Sequence, residues 1–292
     1  MIKLQNILLT CLLLLLFSCN KNNDEGQEPR KEIDKTANLL ATGDSANDIL
    51  SNDSFDKLRI EIGYVTGFRP TNAAMTEFTD FLRQHTFKQD IEVIYTQLDS
   101  PEEDNLTLQE IADLELENRT VYNEENTLGI YIYFADAPAA GDDDEGQLVT
   151  LGAVYRNTSM VIHAITVRRL AAQSSFISNA DVEAATLNHE FGHLFGLVNL
   201  GTPAINDHED DEALNHCNVV GCLMRAQLQF VGSSNKSNLL TAKSTYEDGI
   251  TAGCAISAKS ILHLLQSKTG KNSAAPGLDA ECILDIQANG GR

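Results

Sequence analysis

The chain has 292 residues, 42% of them apolar, with 42 acidic side chains against 21 basic ones and a formal net charge of -21. That length allows one large domain or two small ones with a sizeable core. So acidic a balance speaks against nucleic acid and anionic membrane surfaces as partners, and simple solubility accounts for it.

In chain order, the N-terminus carries a positive charge at Lys3 and then a short apolar run, Ile7 to Phe17. This is the layout of a secretory signal, too short to span a bilayer comfortably. The run ends in Leu16-Phe17-Ser18-Cys19, which resembles the bacterial lipobox. That resemblance implies a signal peptide over 1–18 and acylation of Cys19. It also implies a membrane attachment made through lipid, in the bacterial cell envelope, at the outer membrane or cell surface. Residues 19–56 are polar, charged and poor in aromatics, and are expected to be a flexible tether. The folded body is expected over 57–292, with an N-terminal α/β part to 199 and a C-terminal part from 200.

Within the body, Arg59–Val65 is β-branched-rich and predicts a strand. Ala74, Phe78, Phe81 and Leu82 recur at helical spacing after Pro70. Ile91, Val93 and Tyr95 alternate as in a second strand. Thr107 and Glu110 form a capping box for a helix through Leu116. Ile130–Phe134 is apolar enough for a central strand, and 140–146 reads as an exposed loop. Leu148–Tyr155 and Met160–Val167 predict two strands joined at 156–158. Ser178 and Asp181 can cap a helix over Val182–Val198. The remainder is loop-rich, with a last helix expected at Ala255–Gln266. Strand–helix alternation followed by a helical motif predicts an α/β (α+β) domain with a twisted mixed sheet, a site-bearing helix and a loop-rich C-terminal subdomain.

The chemistry concentrates in HEFGHLFGLVN, residues 189–199. On a helix, His189 and His193 lie four residues apart and project from one face, so both can bind one tetrahedral Zn²⁺. Glu190 sits one step round. It is poorly placed to join them as a ligand but well placed to take a proton from water activated by the metal. Gly196 permits a sharp turn away from the helix. Of seven histidines, His189, His193, His208 and His216 fall in one stretch. His85, His163 and His263 are more simply surface or core residues.

HExxHxxG, followed by HCNVVGCLM at 216–224, resembles the metzincin clan of zinc endopeptidases, and archaemetzincins in particular. The resemblance implies a zinc-dependent endopeptidase that takes peptide or protein substrates, laid extended on an edge strand. Leu148–Tyr155 is the candidate edge. The resemblance makes His216 the third zinc ligand and Met224 the Met-turn residue. The chain departs from the pattern at Asn199, where the clan has its third His, and residues 198–215 are interposed before His216. His208, Asn199 or an acidic neighbour therefore stay open as third ligand. The acidic run 207–212 reads as a solvated loop, with a calcium site as its less supported alternative.

Cys11 lies in the expected signal. Cys217, Cys222, Cys254 and Cys282 remain, and an even number in an exported chain predicts two disulfides. The alternative is structural zinc, although archaemetzincins use a closely spaced downstream cysteine pair that Cys254 and Cys282 do not reproduce. Two other functions remain in view. One is a zincin with an acidic third ligand such as Glu209. The other is a surface-anchored, non-catalytic binding module holding a structural zinc. Nothing in the sequence bears on oligomeric state.

Overall fold

The structure is a computed structural model. It describes residues 33–142, 149–173, 175, 177–226 and 277–292. Its centre is a five-stranded sheet of β1 (Lys57–Val65), β2 (Asp90–Leu98), β3 (Thr127–Ala135), β4 (Gly152–Arg156) and β5 (Ser159–His163), in the order β2-β1-β3-β5-β4. β1 pairs in parallel with β2 and β3, and β3 with β5. β4 runs antiparallel to β5 and closes that side of the described sheet. The helices are α1 (Ala46–Leu50), α2 (Asn72–His85), α3 (Leu108–Asn118), α4 (Ala164–Ala171), α5 (Asn179–Leu194) and α6 (Ala280–Ala288). A short hairpin of β6 (Glu209–Asp210) and β7 (Ala213–Cys217) follows α5. Among the described residues no helix is long and apolar enough to cross a membrane.

The period-two pattern of β3 explains the layering. Ile130, Ile132 and Phe134 join Ile60, Ile62, Met160 and Ile162 in a core shared with Phe78 and Leu82 of α2 and Leu187 and Phe191 of α5. Tyr131, Tyr133 and Ala135 face the other way, into a second core with Leu108, Ile111 and Ala112 of α3. The sheet is therefore covered on both faces, which is why β3 reads as a continuous apolar run rather than an alternating one. Beside the second core, Glu115 accepts from Arg119 at 2.7 Å, Arg156 at 2.9 Å and Ser159 at 2.6 Å. That buried, fully engaged carboxylate ties α3 to the β4–β5 hairpin.

α5 starts and stops where its sequence dictates. Ser178 Oγ accepts from Asp181 N at 3.2 Å, and the Asp181 carboxylate returns a bond from Ser178 N at 2.7 Å. At the far end Gly196 N–H reaches the His193 carbonyl at 3.0 Å and Leu197 N–H reaches that of Gly192 at 3.2 Å. These two bonds make a Schellman stop, with Gly196 at φ +71°. A Cβ on Gly196 would fall 2.7 Å from Thr202 N. Every residue from Val182 to Leu194 is buried, so this helix runs through the interior and its polar residues do not form a solvated face.

Several expectations need correction. The compact unit runs from Asp34 to Arg292 rather than from 57. Asn38 is buried and donates to Asn123 and to the Gly129 carbonyl, at 2.8 and 3.0 Å, and Ile49 and Leu50 of α1 are fully buried. The segment expected as tether thus contributes, from Asn38 onward, buried residues to the folded unit. Met160–Val167 is strand only to His163. Its β-branched Ile165, Thr166 and Val167 lie in α4, where packing against α5 overrides their strand preference. The edge strand is shorter than predicted, and α5 ends at Leu194, not Val198. α6 was not expected at all. The helix expected at Ala255–Gln266 and most of the 140–146 loop lie outside the described residues, as do Cys19 and the signal segment.

Candidate metal centre

His189 and His193 leave one face of α5, and His216 arrives from β7. Their ligating nitrogens lie within 4.8 Å of one another, and all three residues are buried. The His189 and His193 Nε2 atoms are 3.2 Å apart. The His216 ring centroid stands 5.5 Å from that of His189 and 5.1 Å from that of His193.

The tautomers follow from acceptors that cannot donate. His189 Nδ1–H donates to the Leu223 carbonyl at 2.7 Å, and His216 Nδ1–H to that of Leu214 at 2.9 Å. Each ring then presents its Nε2 lone pair to the cluster. Burial lowers the pKa of all three, that of His189 to about 3, so the rings are neutral, as a metal requires. Three buried imidazoles with ligating nitrogens this close form a donor set that fits a divalent cation such as zinc.

Glu190 is fully buried, and neither carboxylate oxygen has a hydrogen-bond partner among the described residues. Burial raises its pKa well above the usual carboxylate range. Its side chain lies against the start of β4: a Cβ on Gly152 would fall 2.7 Å from Glu190 Cγ and 3.0 Å from the Val161 carbonyl oxygen. The candidate base and the sheet edge are therefore neighbours, and Gly152 provides the room between them.

Met224 is fully buried beneath α5. Its sulfur lies 2.3 Å from where a Gly192 Cβ would stand, so the Gly of HEFGH is what lets it approach. The residue before it, Leu223, supplies the carbonyl that orients His189. One turn thus underpins the helix and fixes a ring. Sequence reasoning found Met224 but not Gly152, Gly192 or the Leu223 carbonyl, because a main-chain acceptor has no residue signature.

His208 stands elsewhere and is not a third member of the histidine group. It lies with Cys217, Asp279 and Cys282 in a second cluster whose candidate ligand atoms are within 4.8 Å of one another. His208 Nδ1 is 3.3 Å from Cys217 Sγ, while its Nε2 pairs with Asp285 at 2.7 Å. Cys217 Sγ is 3.0 Å from the Asp279 carboxylate, and Cys222 Sγ is 3.7 Å from Cys282 Sγ. Hydrogen bonds from Cys222 and Cys282 push the Cys217 pKa far down, toward a thiolate. Cys217, Cys222 and Cys282 are free thiols, so the predicted disulfides are not formed among them; Cys254 lies outside the described residues. The signal for Asp279 was its place as the N-cap of α6, where it accepts from Glu281 and Cys282 N–H.

The acidic run 207–212 is dispersed. Glu209 bonds to Asn199 and Asn215, and Asp210 accepts from Glu212 N and sits 3.8 Å from Arg225. Among the described residues the two convergent groups are the histidine and the cysteine clusters.

No protein-family model matches the chain, and no curated protein matches it. A solved structure that it resembles is that of an archaemetzincin from Methanopyrus kandleri, at 14% identity and a TM-score of 0.45, over 80% of this chain and 96% of that one. A likeness at that level assigns neither activity nor residue roles.

Proposed function

We propose that the chain is a zinc-dependent endopeptidase of metzincin type. The observation that carries the reading is the convergence of three neutral imidazoles in the interior, two of them on the same helix as a buried carboxylate that has no hydrogen-bond partner among the described residues. His189, His193 and His216 are the ligands. Zinc held there supplies a Lewis acid that polarises the scissile carbonyl and acidifies water. Glu190 takes the proton from the attacking water as its oxygen bonds to the carbonyl carbon. It returns that proton to the amine nitrogen as the C–N bond breaks. Burial, which raises its pKa, favours its holding the proton between the two transfers. β4 is the edge on which an extended peptide adds as a further strand, beside Glu190.

The second cluster is read as a structural metal centre, with sulfur, imidazole and carboxylate donors, of which Asp279 is half-buried and the other three buried. Cys19 is read as the acylated first residue of an envelope-anchored protein, supported by the residues before it. Metabolic labelling with a fatty-acid analogue tests this, and Cys19→Ser should abolish the label.

The test of the main reading pairs two measurements on the full chain, bound zinc and cleavage of a peptide library. His216→Ala should lose the metal of the histidine cluster. Glu190→Ala should keep it and lose about 10²-fold or more of activity. Equal cleavage by Glu190→Ala and the parent chain would end the enzymatic reading.

A further inference from the structure

Glu209 is one of the acidic residues weighed as a third ligand, and the structure gives its carboxylate a different task. Oε2 accepts from Asn199 Nδ2 at 2.7 Å, and Oε1 accepts from the Asn215 backbone N–H at 2.6 Å. Asn199 follows the exit of α5, and Asn215 precedes His216. The carboxylate therefore bridges the end of the helix that supplies two histidines to the strand that supplies the third.

The backbone at both ends of this bridge is unusual. Val198, Asn199 and Asn215 have φ of +53°, +66° and +64°. Non-glycine residues adopt such values at a cost, and asparagine at the least cost. The chain leaves α5 through consecutive left-handed residues and re-enters at His216 through another, and Glu209 holds both places. Its own backbone is fixed in turn: β6 pairs with β7 in the register Glu209↔Cys217, and Asn218 Nδ2 donates to the Glu209 carbonyl at 3.2 Å. Short bonds to a charged acceptor are the strong kind. The His216–Leu214 bond is local to its own strand and orients the ring without relating that strand to α5. Glu209 is absent from the convergent histidine group, so its oxygens do not point where a ligand would.

We infer that Glu209 is a positioning residue for the metal centre: its carboxylate clips Asn199 to Asn215 and so places His216 opposite His189 and His193, making good the residues interposed between helix and third ligand. The inference rests on His216 being a ligand. It also gives Asn199 a role, as the anchor on the helix side rather than as a ligand.

The experiment measures metal affinity in the full chain by chelator competition, with zinc and with cobalt(II). Thiolate charge-transfer bands of cobalt report the cysteine cluster separately. Glu209→Ala should weaken the histidine site by about 10-fold or more, the scale on which outer groups act on metal affinity, and leave the thiolate bands unchanged. Glu209→Gln should recover most of the loss, since an amide still accepts from Asn215 N–H and can donate to the Asn199 side-chain oxygen. Asn199→Gly removes only the exposed amide, at a φ that glycine tolerates, and should weaken binding in the same direction but less. Unchanged affinity in Glu209→Ala would overturn the inference, as would unchanged affinity in Asn199→Gly should Glu209→Ala fail to fold. A Glu209→Gln variant as metal-free as His216→Ala would also overturn it, since Glu209 would then be a ligand. If His216→Ala itself kept full affinity, the reading of the site would fail, independently of the clip.

Discussion

His189 and His216 are each held by a main-chain carbonyl, and Glu190 is bounded by a glycine. At the residue scale the site is thus shaped by groups with little or no side chain. Gly152 is the clearest case. Its Cβ would meet both Glu190 and the Val161 carbonyl oxygen, and the latter cannot yield. Gly152→Ala should therefore displace the carboxylate. A misplacement near 1 Å costs on the order of 10²-fold in rate, so activity should fall while bound zinc stays stoichiometric; parallel loss of metal would show a wider collapse. His163 offers a pH test away from the metal. It is buried, donates from Nδ1 to the Ala137 carbonyl, and burial lowers its pKa to about 4. Below the unfolded value, near 6.5, the unfolded chain binds a proton that the folded one refuses. Stability contributed by His163 is therefore whole above that value and is lost as the pH falls through about 4, on the order of 3 kcal/mol in all. The drop in urea midpoint between about pH 7 and pH 5 should shrink in His163→Asn.

At the element scale, local signals were reliable where a side chain bonds its own backbone. The Thr107/Glu110 and Ser178/Asp181 boxes both form as the spacing requires. Ser178→Ala should lower stability by about 1 kcal/mol. Gly196→Ala should cost more, because a left-handed φ penalty of roughly 1–2 kcal/mol adds to a clash with Thr202 N. Thermal unfolding of the two variants side by side checks the ranking. Pattern failed where neighbours decide. Met160–Val167 is rich in β-branched residues throughout, yet the half packed against α5 is helical. α6 was missed because a short segment carries too little periodicity, although Asp279 marks its start.

At the scale of the whole molecule, two groups of residues distant in sequence are drawn into single clusters. His216 and Cys217 are consecutive, yet one faces the histidine centre and the other the cysteine centre with Cys282 of α6. Chelation should therefore release metal from both and lower the unfolding temperature. Cys282→Ser should lower it while sparing cobalt bands of the histidine site. Removing residues 34–56 should also destabilise the protein, since Ile49 and Leu50 alone bury about 1.5–3 kcal/mol each; a fragment 57–292 as stable as 34–292 would contradict the packing of α1. The sequence by itself determined that α5 carries two imidazoles and a carboxylate at fixed angular steps, because helical geometry needs only spacing. It also determined the Ser178/Asp181 cap at that helix's start, because caps act within a few residues, but not its end, which falls at Leu194 rather than Val198. Only the tertiary structure decided that His216 rather than His208 completes the trio, that the thiols gather instead of pairing, and that Asn38, Ile49 and Leu50 are buried. Those outcomes depend on which chain segments a twisted sheet brings side by side, and no local pattern encodes that distance.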